Sequence, residues 1–212
     1  MDGMEKDYGH KPVLLEECLE ALAVRPEGIY LDGTLGRAGH SLQILRRLTT
    51  GRLIGVDRDL AAVEAARERL AAFGDRVTLV HGNFSDLGDI LQNLGIVGVD
   101  GMLFDLGVSS PQLDEPRRGF SYMHDAPLDM RMDETAALDA FQVVNTWSYE
   151  ELRRILFEYG EERYAPQIAR AVVRAREDKP VGTTGELAEL IRSAMPSKAL
   201  REKQHPAKRS FQ

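Results

Sequence analysis

The segment Asp105-Leu106-Gly107-Val108-Ser109-Ser110-Pro111-Gln112 gathers groups that a protein core does not ask for: a carboxylate, two hydroxyls, an amide and a proline that limits the loop's freedom. Asp105, Ser109 and Ser110, with backbone carbonyls of the same segment, can accept hydrogen bonds from an amine. Acceptors of this kind hold a weakly nucleophilic nitrogen pyramidal and aim its lone pair. Aiming is then most of the catalysis, because well-oriented reactants gain about 7–11 kcal/mol over free ones. The segment closes an apolar run at 99–105 that reads as a strand, so it falls at the carboxyl edge, where open α/β sheets build their sites.

A second cluster is Asp32-Gly33-Thr34-Leu35-Gly36-Arg37-Ala38-Gly39-His40, which follows one apolar run and opens a helical pattern. A Gly-rich turn at such a point brings backbone N–H groups against a ligand, although glycines also make tight turns for structural reasons alone. Asp57 ends the next strand, where a carboxylate can accept both hydroxyls of a ribose. The glycines fall at 33, 36 and 39 rather than in the G-x-G-x-x-G order, and Asp32 at the mouth of the turn would repel a pyrophosphate. A cationic adenosine cofactor without phosphates, S-adenosylmethionine, suits these groups. Phe84, in His81-Gly82-Asn83-Phe84-Ser85-Asp86 after the third strand, is placed to flank an adenine or to pack in the core.

The elements that must position these groups are legible as periodicity. Strands are expected at 29–32, 52–57, 77–81 and 99–105, with amphipathic helices at 41–48, 60–73 and 87–94 between them, the second closed by Gly74. Strand and helix alternating in this way predict an α/β fold with a doubly wound, mostly parallel sheet. From Trp147 the strand signals vanish. Ser148 with Glu151 and Thr183 with Glu186 have capping-box spacing, and a further helix covers 165–177.

Composition sets the bounds. With 212 residues, 43% hydrophobic and 29% charged, the chain reads as a soluble globular protein, and no apolar run approaches a membrane span. The start of the chain, with Asp2, Glu5, Lys6 and Asp7, lacks the order of a signal peptide, so a cytoplasmic location is expected. The lone Cys18 sits at helical apolar spacing and reads as packing. The histidines 10, 40, 81, 124 and 205 show no metal-ligand spacing, so no metal is expected. A net charge of −7 argues against a protein that coats nucleic acid non-specifically, so any RNA contact must be local. Three stretches could make one. Arg117, Arg118, Phe120 and Tyr122 mix cations with aromatics, as stacking on an unpaired base requires; Arg170 and Arg174 share a helix face with Arg163; and Lys208 and Arg209 belong to a basic tail from Lys198. A solvated face is the competing role for these cations.

The strings Asp105-Leu-Gly-Val-Ser-Ser-Pro-Gln-Leu-Asp114, Arg118-Gly-Phe-Ser-Tyr122, Pro127-Leu-Asp-Met-Arg-Met132 and His205-Pro-Ala-Lys-Arg-Ser-Phe-Gln212, with Asp32–His40, resemble in order the ribosomal RNA small subunit methyltransferase H family. The resemblance implies S-adenosylmethionine-dependent methylation of N4 of a cytosine in the decoding region of bacterial 16S rRNA. A cytosine amine has its lone pair delocalised into the ring, which is the weak nucleophile that the 105–110 acceptors suit, and the base is expected to be splayed out of its stack. Carried over residue by residue, the family's cofactor contacts fall on Ala38, Gly39, His40, Asp57, Phe84, Asp105 and Gln112. Asp105 thus serves either cofactor or base. Where the family has glycine, this chain has Ala38.

The resemblance also implies a class I methyltransferase sheet carrying an inserted small helical domain. The expected division is 1–111 for the cofactor-binding half, 112–200 for the insertion that holds RNA, and 201–212 for the start of the return to the sheet, whose remaining C-terminal part would follow Gln212. Expected partners are 16S rRNA and the small ribosomal subunit; a homodimer is compatible with the sequence, and no membrane is involved. Two other readings stay open: a non-catalytic RNA-binding or ribosome assembly factor on the same fold, and a nicotinamide-dependent dehydrogenase.

Overall fold

A computed structural model describes residues 12–212; Asp2, Glu5, Lys6, Asp7 and His10 lie outside the described residues. The chain divides into two compact units, one ending at Gly107 and the other running Val108–Gln212.

In the first unit, α1 (Leu15–Leu22) leads into β1 (Ile29–Asp32), α2 (Gly39–Arg47), β2 (Arg52–Asp57), α3 (Leu60–Leu70), β3 (Val77–His81), α4 (Leu87–Asn93) and β4 (Gly101–Leu103). The strands form one all-parallel sheet in the order β3-β2-β1-β4. The order reverses between β1 and β4, the kind of switch point at which open α/β sheets leave a crevice outside their strand ends. Alternation along the strands separates the two faces. Tyr30 and Leu53 pack with residues of α1, α2 and α3, among them Leu19, Ile44, Leu45, Ala66 and Leu70. Their sequence neighbours Leu31 and Ile54, with Val56, pack with Leu87, Ile90 and Leu91 of α4 on the other side. Strands buried on both faces read as near-continuous apolar runs, as these do. Cys18 lies half-buried on α1.

Local chemistry sets the ends of these elements. The Asp59 carboxylate accepts from Ala61 N–H at 3.1 Å and caps α3. That helix gives way to a 3-10 segment before Gly74, whose φ of +55° turns the chain back toward β3. The fourth strand is shorter than the apolar run at 99–105 implies: pairing stops at Leu103, and Phe104 and Asp105 leave the ladder.

The second unit is helical, with α5 (Ser110–Asp114), α6 (Ala140–Thr146), α7 (Tyr149–Glu158), α8 (Ala165–Arg176) and α9 (Thr184–Ala194). Its core joins Leu152, Ile168, Val172, Leu187 and Ile191 with Leu128 and Val144. Ser148 and Glu151 form a reciprocal capping box on α7: Glu151 N–H donates to Ser148 Oγ at 3.2 Å, and Ser148 N–H donates to Glu151 Oε2 at 2.8 Å. On α9, Glu186 N–H donates to Thr183 Oγ1, while the Glu186 carboxylate accepts from Gly182 N–H and from Lys179. Residues 201–212, expected to begin the return to the sheet, contribute Ala207 and Phe211 to this helical core. Among the described residues, no helix is long and apolar enough to cross a membrane.

Candidate active site

The first unit carries the cofactor candidates other than Gln112, at or just after the carboxyl ends of its strands. Asp57, last residue of β2, has both carboxylate oxygens fixed: Gly36 N–H donates to Oδ2 at 2.7 Å and Asp59 N–H donates to Oδ1 at 2.9 Å. Two bonds use half of the roughly four acceptor positions of an ionised carboxylate. The remaining pair suits the two hydroxyls of a ribose, so Asp57 is both oriented and still able to bind. Gly36 reaches it from a left-handed conformation, φ +49°, that glycine adopts without penalty.

Ala38 is also left-handed, at φ 59° and ψ 34°, and is fully buried at the N-terminus of α2. An alanine therefore occupies a backbone geometry that glycine would take more easily. At Gly39 a side chain would meet Pro12, since an added Cβ would lie 2.5 Å from its Cγ. His40 is buried, and its Nε2 lies 3.0 Å from the Val13 carbonyl. A carbonyl only accepts, so Nε2 carries the hydrogen.

Asp32 differs from its expected place at the mouth of the turn. It is 1% exposed, and its carboxylate accepts from Ser41 Oγ at 2.7 Å and from Thr34 N–H at 3.2 Å. Burial pushes this carboxyl above its ordinary value, while the bonds from Ser41 and Thr34 pull the other way. Its work is internal, tying the turn after β1 to α2, so the argument from repulsion of a pyrophosphate loses force and Asp57 becomes the stronger signal.

Phe84 and Phe104 are each 42% exposed, and their rings meet edge to face with centroids 5.8 Å apart. They follow β3 and β4, the two outer strands, so the side chains reach toward each other across the ends of β2 and β1. Phe104 lies against Gly33, where an added Cβ would sit 2.2 Å from its ring. The sequence singles out Phe84 but not Phe104, which reads as the last apolar residue of a strand. Asp105 is exposed, and its N–H donates to Thr34 Oγ1 at 2.7 Å. The sequence does not single out Thr34 either, although a hydroxyl inside a Gly-rich turn is a signal for it.

The second unit carries the other candidates. Ser109 caps α5 in a reciprocal box with Gln112, in which Ser109 N–H donates to Gln112 Oε1 at 3.0 Å. Gln112 is buried, and Ser109 and Ser110 are half-buried. Arg117 is exposed and paired with Glu115. Arg118 is 4% exposed, and its guanidinium donates to the carbonyls of Arg131 and Met132 at 3.0 Å each. Phe120 is buried too. Neither Arg118 nor Phe120 presents the surface expected of an RNA contact: Arg118 instead gathers the chain at 131–132.

Tyr122 is half-buried and stacks on His205, centroids 4.3 Å apart and planes 9° apart, with Phe211 against its edge. That stack ties the 118–122 segment to the basic tail, where Lys208 is exposed and Arg209 half-buried. On α8, Arg170 and Arg174 are exposed, and Arg170 lies over the Tyr149 ring at 5.9 Å. Among the described residues, no group of three or more His, Cys, Asp or Glu is arranged to hold a metal ion.

Comparison with known proteins gives these geometries a context. The family model described as the MraW methylase family matches residues 7–212. Ribosomal RNA small subunit methyltransferase H of Symbiobacterium thermophilum is 56% identical over 206 residues, 97% of this chain and 65% of its own length. The protein of the same name from Brevibacillus brevis is 55% identical over 206 residues, 97% of this chain and 66% of its own length. The chain thus spans just under two thirds of the length of these curated relatives.

Proposed function

The chain belongs to the MraW methylase family, and on that premise we propose that it acts in S-adenosylmethionine-dependent methylation of N4 of a cytosine in small-subunit ribosomal RNA. The observation that carries the cofactor half of this reading is the Asp57 carboxylate, held by two backbone N–H groups at the end of β2 with acceptor capacity left over. Asp57 takes the ribose hydroxyls, and the exposed rings of Phe84 and Phe104 supply the flat apolar surface that an adenine packs against. The turn from Gly33 to His40 brings backbone within reach of the rest of the donor. S-adenosylmethionine supplies a methyl group activated by its positively charged sulfur, which an exposed carboxylate such as Asp105 attracts.

Asp105, Ser109 and Ser110 are neighbours on one continuous segment. In this reading Asp105 accepts an N–H bond of the target amine and turns its lone pair toward the methyl group; Ser109 and Ser110 are the further acceptor candidates, and Gln112 holds the backbone of Ser109 through the capping box. The cations expected to meet RNA are the exposed Arg117, Arg170, Arg174 and Lys208, together with Arg209. Membership of a methylase family speaks against the nicotinamide-dependent alternative.

The test is transfer of labelled methyl groups from S-adenosylmethionine to unmethylated bacterial small subunits, with the modified nucleoside located by mass spectrometry. The expected result is N4-methylcytidine at one position in the decoding region. No label, or label on another base atom, overturns the reading.

A further inference from the structure

We propose that Thr34 is a positioning residue, whose hydroxyl fixes the backbone of Asp105 and thereby sets where that carboxylate meets the methyl donor. The inference rests on the proposed assignment of Asp105 to the donor, and it names a residue and a contact that assignment does not include.

The ladder between β1 and β4 sets the register in which Asp105 sits. Their pairing runs Tyr30 with Gly101, Leu31 with Met102 and Asp32 with Leu103, and one further bond follows, from Gly33 N–H to the Leu103 carbonyl at 2.9 Å. In a parallel ladder, alternate residues of one strand bond the backbone of the other, so the next donor on the β4 side is Asp105 N–H. The continuation of β1 has already turned away there, because Thr34 N–H folds back onto the Asp32 carboxylate. Asp105 N–H goes instead to Thr34 Oγ1 at 2.7 Å. A side-chain hydroxyl thus stands in for the missing backbone carbonyl and extends the register two residues past the last paired position.

The anchor is itself held. Asp32 is buried and accepts from both Ser41 Oγ on α2 and Thr34 N–H, so Thr34 has little freedom relative to the sheet. Asp105, by contrast, is exposed, and the residues after it are exposed to Val108. Its Thr34 bond is therefore the first fixed point of the segment. Because water can replace the bond at an exposed amide, its loss alters placement more than stability.

The experiment is calorimetric titration of S-adenosylhomocysteine into the wild type, Thr34→Val, Thr34→Ser, Asp105→Ala and the Thr34→Val/Asp105→Ala double variant, with hydrogen exchange at the Asp105 amide as a second readout. Valine keeps the shape and removes the acceptor; serine keeps the acceptor. Thr34→Val is expected to weaken binding by about three- to tenfold, as for one modest hydrogen bond, and to speed exchange at Asp105, while Thr34→Ser restores both. In the Asp105→Ala background the valine substitution is expected to have no further effect. Wild-type binding left unchanged by Thr34→Val, or an equal loss with and without the Asp105 carboxylate, overturns the inference alone. A wild type that does not bind S-adenosylhomocysteine overturns the methyl-donor reading and this inference with it.

Discussion

Ala38 shows how single residues trade small terms against one another. Left-handed backbone costs an L-residue about 1–2 kcal/mol, whereas its fully buried methyl returns roughly 0.8 kcal/mol, and glycine would add about 0.5–1 kcal/mol of chain flexibility to be lost on folding. These terms nearly cancel, which accounts for an alanine at a left-handed position. Urea denaturation of Ala38→Gly is expected to show a change of less than about 1 kcal/mol, whereas Ala38→Val, β-branched at positive φ and overpacked, should lose more than about 2 kcal/mol. A well-tolerated valine would contradict the left-handed assignment.

Asp32 adds a pH dependence of definite sign. Its folded carboxyl holds a proton to higher pH than the unfolded one, chiefly because it is buried. Its contribution to stability is therefore fully present below the ordinary value of 3.8 and is lost as pH rises through the raised folded value. Relative to Asp32→Asn, the wild type should lose stability as pH rises from about 4 toward neutrality, measured as the difference between the two urea midpoints at each pH. A difference that stays flat or grows in favour of the wild type would refute this.

At the scale of elements, apolar patterning marks three strands to the residue, at Ile29–Asp32, Arg52–Asp57 and Val77–His81, because the strands of a parallel sheet are mostly apolar and these three end at polar residues. The fourth was overextended. Phe104 continues the apolar run but not the pairing, and whether an apolar residue faces a core or a crevice depends on contacts that period alone does not encode. The same limit explains the site: Asp57 was legible from its position after a strand, while Thr34 acts through a tertiary hydrogen bond and Arg118 is buried among carbonyls of a distant turn. Helix starts were more readable, because capping is local chemistry. Ser148→Ala removes one half of the α7 capping box and is expected to cost about 1 kcal/mol by thermal or urea unfolding. Ser148→Asp, which keeps an acceptor at the cap, is expected to retain most of it; equal losses in the two variants would place the effect elsewhere than the cap.

For the whole molecule, the two units divide the labour that the proposed reaction needs. The first offers Asp57, Phe84, Phe104 and Asp105 at strand ends. The second offers exposed cations on α8 and in the tail, in a chain whose net charge of −7 leaves no general attraction for RNA. In the proposed reaction, selectivity for one cytosine would then depend on few, local phosphate and base contacts rather than on overall charge.

A methyl donor held by Asp57 with its sulfur at Asp105 underlies every proposed role. A crystal structure of this chain with S-adenosylhomocysteine tests that directly. The expected result is both ribose hydroxyls within about 3.2 Å of the Asp57 carboxylate, the adenine against Phe84 or Phe104, and the sulfur facing Asp105. A nucleoside bound away from the end of β2, or an Asp57 carboxylate that touches no part of it, would contradict the account.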